Sequence, residues 1–138
     1  MQPLSCNQYT VKDIFEFVNE VQNLEINRGN ILVSYDVTSL FTNVPLDETI
    51  QILADKAFRD NWFNKTHQLN LSRDQLVELL NAATKNQLFQ FNGNLYEQTN
   101  GVAMGSPLGP LLANIFMYST EDKLDQDGQL PSYYRRYV

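Results

Sequence analysis

Residues 31–42 read ILVSYDVTSLFT, and the fold class turns on them. Ile31, Val33, Tyr35 and Val37 alternate with Leu32, Ser34 and Asp36, which is the period of a strand. The spacing predicts a strand over 31–37, with Asp36 projecting from the face opposite the more apolar one. Just before it, the sequence NRGN at 27–30 reads as a turn. Just after it, a helix is expected near Pro45, with Asp47 and Glu48 in the first turn, where carboxylates suit the helix dipole. Ile50, Leu53, Ala54, Ala57 and Phe58 supply the buried stripe of that helix.

Working outward, the first nine residues look like an extended arm. Thr10 is a plausible N-cap with Asp13 three residues on, and Val11, Ile14, Phe15, Val18 and Val21 then follow helical spacing. Residues 60–71 read as a polar connection. Ser72 caps a further helix with Leu76, Leu79, Leu80 and Ala83 on one side. LFQFNGNLYEQ at 88–98 reads as two short strands around Asn92-Gly93, a strong hairpin signal. GVAMGSPLG at 101–109 is a loop running into a helix, with Ser106 as N-cap, Pro107 at the first helical position and Leu108, Leu111, Leu112, Ile115 and Phe116 as its apolar face. Asp127-Gly128 is a turn, and SYYRRYV at 132–138 is β-rich and stops abruptly. The order helix, strand, helix, helix, hairpin, helix, strand predicts an α+β fold rather than regular βαβ. With no linker or repeat in sight, residues 1–138 are expected to form one unit.

Composition narrows the function. Hydrophobic residues are 43% and charged residues 19%, which excludes a disordered or low-complexity chain. No apolar run approaches the length of a membrane span, and no signal peptide opens the chain, so no membrane partner and an intracellular setting are expected. The single cysteine, Cys6, excludes a disulfide scaffold, and the single histidine, His67, excludes a multi-histidine metal site. Neither has a partner that suggests nucleophilic chemistry. Lys and Arg number 10 against 16 Asp and Glu, a formal charge of −6, whereas a stand-alone nucleic-acid binder is expected to be basic.

Three places could carry chemistry. Asp36, at a strand end, could hold Mg²⁺ through oxygen, with water, backbone and substrate phosphate completing the shell; the simpler reading is a strand-end Asp that caps a turn. The 101–109 loop allows close backbone approach and offers free N–H groups to an anion, but it is not a Walker loop, since no Lys follows its second glycine. In SYYRRYV, Arg135 and Arg136 between tyrosines could pair with phosphates and stack on bases, or simply belong to an amphipathic strand. DQDGQL at 125–130 lacks the length and terminal Glu of a calcium loop. Asn64 and Asn70 open sequon triplets that mean little without a secretory signal.

Taken together and in order, these segments carry a resemblance. SYDVTSLFTNVP resembles motif A of reverse transcriptases, GVAMGSPLGPLLANIFM resembles their motif B, and YYRRYV resembles the lead-in to motif C, where a Tyr-x-Asp-Asp turn would follow. The wording is most similar to the Penelope-like retroelement branch, and the resemblance runs from about Val11 to Val138. It implies a palm-like antiparallel sheet packed on helices, and an RNA-directed DNA polymerase that uses dNTPs, Mg²⁺, an RNA template and a DNA primer. It also implies roles: Asp36 as the catalytic metal-binding aspartate, with the carbonyl of Val37 as a further ligand; Ser39 and Leu40 amides facing the triphosphate; Phe41 as the aromatic gate against a ribose 2′-hydroxyl. Met104 and Gly105 would border the nucleotide, with Met104 standing where many relatives have Gln. Ser106 and Pro107 would shape the floor under the template, and Arg135 and Arg136 would either sit near the primer or brace the sheet.

The two Asp of motif C do not follow Tyr137-Val138 in this sequence. With one of three carboxylates, the chain is expected to be an incomplete polymerase, without full fingers or thumb, that binds Mg²⁺ weakly and is inactive by itself. The alternative is a truncated or domesticated relative that works without catalysis, by binding a partner or pairing with its own kind through the C-terminal strand edge. Nuclear localisation follows from the resemblance alone.

Overall fold

Pro45 ends an extended stretch and lets the next residue begin a helix, and the structure obeys. In the computed structural model, which describes residues 7–25, 27 and 29–137, helix α3 spans Leu46–Phe58 with Asp47 and Glu48 in its first turn. Thr49 is fully buried there, and its hydroxyl donates to the Pro45 carbonyl at 2.8 Å, so burial leaves no unmet polar group. Ile50, Leu53, Ala54 and Ala57 recur at helical spacing and are buried. Helix α5, Arg73–Thr84, and helix α6, Gly109–Gln126, both pack on α3. Leu76 and Leu80 from α5 and Leu112, Ala113 and Ile115 from α6 meet the α3 stripe in one core with Val44 and Val102. Each fully buried Leu, Ile or Val side chain of that core contributes roughly 1.5–3 kcal/mol.

Local chemistry explains the element ends. Ser72 caps α5: its hydroxyl accepts from Gln75 N, and the Gln75 side chain accepts in return from Ser72 N. Strands β2, Leu88–Phe91, and β3, Asn94–Glu97, form the expected antiparallel hairpin, and Asn92 (φ 49°) and Gly93 (φ 78°) supply the two left-handed positions of its turn. Every residue of both strands is exposed, and among the described residues the pair touches no helix. A second, two-residue pairing is parallel: β1, Thr10–Val11, lies beside β4, Arg136–Tyr137. Helices and small sheets thus share one α+β chain. No described helix is long and apolar enough to cross a membrane.

Four expectations need correction. Residues 31–37 form no strand: the run pairs with no described strand, and Ile31 and Tyr35 are 84% and 89% exposed. Alternation supplies a strand's side chains, but a ladder needs a neighbouring strand, and the described strands pair only with one another. Helix α1, Ile14–Gln22, is capped not by Thr10 but by Asp13, whose carboxylate accepts from Phe15 N and Glu16 N. Thr10 is drawn into β1 and into a turn with Asn7. The supposed polar connection contains a 3-10 turn, Arg59–Asn61, and helix α4, Trp62–His67, because Trp62, Phe63 and His67 gather their rings within 6.4 Å of one another. Finally, α6 starts two residues later than Ser106–Pro107 implies. A helix capped at Ser106 would send its first hydrogen bond from residue 110, which is a proline and has no N–H. The Ser106 carbonyl instead takes Gly109 N at 2.9 Å as a turn, and the first helical bond runs from Leu112 N to Leu108 O at 2.9 Å.

The N-terminal arm falls mainly on residues 1–6, and Cys6 with it; these lie outside the described residues, as do Ile26, Val138 and Arg28 of the expected NRGN turn.

Candidate nucleotide-binding site

Two stretches far apart in sequence meet at one point. Ser39 adopts the left-handed conformation, φ 53°, and turns the chain into the short helix α2, Leu40–Asn43. Its carbonyl accepts from the Thr42 hydroxyl at 3.0 Å and the Asn43 amide at 2.9 Å. The carbonyl of Phe41 accepts from Val102 N at 2.8 Å, which pins the 101–109 loop to α2. Leu40 and Phe41 are half-buried against the core.

Glycine makes this contact possible. Gly101 has φ +71°, and a Cβ there would stand 2.5 Å from both Phe41 O and Thr42 Cα. No side chain fits that gap. Gly109 repeats the theme more gently, since its Cβ would lie 3.2 Å from Ala103 O and 3.4 Å from Phe41 Cε1. The Phe41 ring therefore lies over the start of α6. Gly105 has open space around it, and Met104 is exposed, so the loop presents residues 104–105 outward while 101, 102 and 109 anchor it. Ser106 is half-buried and its hydroxyl accepts from Leu108 N at 3.3 Å; Pro107 is exposed.

Asp36 and Val37 stand apart from this junction. Both are exposed, and Asp36 makes no hydrogen bond or ion pair with a described residue. No three acidic, histidine or cysteine side chains come together to hold a metal among the described residues. A single exposed carboxylate is not the donor set a divalent ion needs, so these residues by themselves do not fit a resident Mg²⁺.

Arg135 and Arg136 are both engaged with protein. Arg135 Nε donates to Glu20 of α1 at 2.7 Å, and its guanidinium holds the Glu20 carboxyl below its ordinary value. Arg136 Nε donates to Glu121 of α6 at 2.6 Å, and Nη1 donates to Asn114 at 2.6 Å. Tyr134 adds its hydroxyl to the same Glu121 oxygen at 2.9 Å. Burial first, and then the hydrogen bond to Glu121, push the Tyr134 phenol up to about 12. Glu20, Asn114, Glu121 and Tyr134 escaped the sequence reading. Glu121 sits on the 114, 118, 121, 125 stripe of α6, but only the arrival of a distant Arg reveals why a carboxylate is tolerated there.

An open cavity of about 700 Å³ runs along α1, lined by Lys12, Asp13, Phe15, Glu16, Asn19, Glu20 and Asn23. No candidate nucleotide-binding residue lines it, so it is a groove beside the helix and not the site.

A family model described as reverse transcriptase (RNA-dependent DNA polymerase) matches residues 1–137. No curated protein and no solved structure matches the chain.

Proposed function

Because the chain belongs to the reverse transcriptase (RNA-dependent DNA polymerase) family, we propose that residues 1–138 are the palm-centred part of a retroelement polymerase, with wording closest to the Penelope-like branch. The observation that carries the assignment of a site is the Val102–Phe41 hydrogen bond at 2.8 Å. It joins the segment expected to gate the nucleotide to the loop expected to form its floor, and it does so through backbone atoms, which pins the loop whatever side chains flank it.

In this reading Phe41 borders the sugar of the incoming dNTP, held from behind by Gly109 and the start of α6. Ser39 and Leu40 face the triphosphate; Met104 and Gly105, carried outward by the anchored loop, line the nucleotide, and Ser106 and Pro107 support the template. Asp36 and the Val37 carbonyl are the oxygen donors this chain offers to a divalent ion, which supplies charge neutralisation in nucleotidyl transfer when the other donors are present. Since the described residues alone do not complete that donor set, no catalytic step is assigned to them in isolation. Arg135 and Arg136 brace the sheet.

Primer extension tests the reading, with a polymerase that carries these residues together with a motif C Asp pair, an RNA template, a DNA primer, dNTPs and Mg²⁺. Asp36→Asn is expected to lower kcat by about 100-fold or more, the scale of losing a charged group aimed at transition-state charge. Because Asp36 is exposed and unpaired, its stability should stay within about 0.5 kcal/mol. A folded, complete enzyme that extends no primer, or an Asp36→Asn variant with full activity, would overturn it.

A further inference from the structure

Strand β4 is two residues long, too short for its ladder to define its own register. Its side chains do it instead. Arg135 and Arg136 are neighbours, so an extended backbone points them to opposite faces. Each finds a different acid on a different helix: Arg135 meets Glu20 on α1, and Arg136 meets Glu121 on α6. The second contact is the demanding one. Glu121 is 0% exposed, and it receives Arg136 Nε at 2.6 Å on one oxygen and Nη2 at 3.3 Å on the other, a fork that fixes direction as well as distance. Nη1 reaches Asn114, two helical turns back on the same face of α6. The backbone N of Arg136 donates to Tyr9 O at 2.7 Å, closing the pairing with β1. A slip of one residue would turn Arg136 away from α6 and strand a buried carboxylate.

We propose that Glu121 is a positioning residue that sets the register of β4, gripping Arg136 so that the strand leading to residue 137 is held in fixed relation to the helix carrying the 101–109 loop. The role of that relation in catalysis rests on the polymerase reading; the register itself does not.

The test traps the register directly. Val11 and Tyr137 are partners in the β1–β4 pairing, and adjacent strands bring such partners within reach of a disulfide. In the 138-residue chain with Cys6→Ser, the pair Val11→Cys and Tyr137→Cys should oxidise readily. Glu121→Gln replaces one acceptor oxygen with a donor facing the guanidinium, and should slow trapping by about tenfold, the effect of shifting the register equilibrium by one decade. The double variant Glu121→Leu and Arg136→Met keeps the volume apolar, so it should fold and still trap slowly. Leu80→Ala, which loosens the α3–α5 core elsewhere, should lower the melting temperature and leave trapping unchanged. In the polymerase, Glu121→Gln should lower kcat with the dNTP KM unchanged. Trapping as fast as the parent in Glu121→Gln, or equal slowing by Leu80→Ala, would overturn the proposal. Trapping needs no catalysis, so lost register in a polymerase whose parent is itself inactive supports this role and counts only against the polymerase reading.

Discussion

At Gly101 a single hydrogen atom in place of a side chain decides whether two segments distant in sequence can touch. Its φ of +71° is costly for any other residue, and the 2.5 Å approach to Phe41 O and Thr42 Cα leaves no room for a methyl group. Backbone, not a flexible side chain tip, would have to move. Gly101→Ala is therefore expected to destabilise by about 2–4 kcal/mol, adding left-handed strain to overpacking. Chemical denaturation measures it, and a change below about 0.5 kcal/mol, the range of an ordinary surface substitution, would contradict the geometry. Gly105→Ala, with open space around the site, serves as the neutral comparison. At this scale the sequence was generous with candidates and silent on their engagements. It singled out Arg135 and Arg136 but not Glu20 or Glu121, because an acid that waits for a partner more than a hundred residues away, or across a turn, leaves no local signature.

Elements show a clearer division. Where a start signal and an apolar stripe agree, as in α3 and α5, or a turn signal sits between two strand-like runs, as in the β2–β3 hairpin, the expected element is the one that forms. Where the reading relied on one signal, tertiary context redirected it. The 31–37 run had the right alternation and no partner strand among the described residues. Helix α4 had its aromatic residues embedded in polar sequence. The start of α6 had a good cap but a proline where the first donor should be. The β4–α6 contact makes an element-scale prediction in alkaline solution. The folded chain keeps the Tyr134 proton up to about 12, whereas the unfolded chain releases it near 10.0. The raised value means that this contribution to stability is complete below 10.0 and is lost as pH rises from there toward 12. Tyrosinate absorbance followed alongside denaturant unfolding should show Tyr134 titrating late, together with Tyr9 and Tyr133, whose values burial also raises, and stability falling in that window. Glu121→Gln should lower the Tyr134 value without returning it to normal, because burial, the larger cause, remains.

Over the whole molecule, the formal charge of −6 sits beside a set of cations already spoken for. Arg73 pairs with Asp55, Lys85 with Asp47, Lys123 with Glu48, and the two arginines of β4 with Glu20 and Glu121. Lys56 lies 3.5 Å over the Tyr118 ring, where burial lowers its pKa. Nucleic-acid phosphates would therefore find little free positive charge on these six side chains. The apolar surface is exposed in proportion: the 31–37 run lies open, as do Ile14 and Phe15 on α1. Isolated in solution, the chain is expected to self-associate. Sedimentation equilibrium at about 100 µM, a range where exposed strand-formers commonly associate, should give at least a dimer mass; a clean monomer would contradict it.

The hydrogen bond between Phe41 and Val102 makes the chain return to the place it left. Everything from Thr42 to Gly101 is then an excursion with its two ends stapled together, carrying α3, α5 and a hairpin that, among the described residues, touches no helix. Lengthening such an excursion at Asn92–Gly93 adds little entropic cost at its mouth, about 0.6 kcal/mol for each doubling of a flexible loop. The hairpin tip is thus a natural port for cargo: a graft there would be carried like a pennant on a mast, while the stapled junction of Phe41 and Val102 keeps its shape.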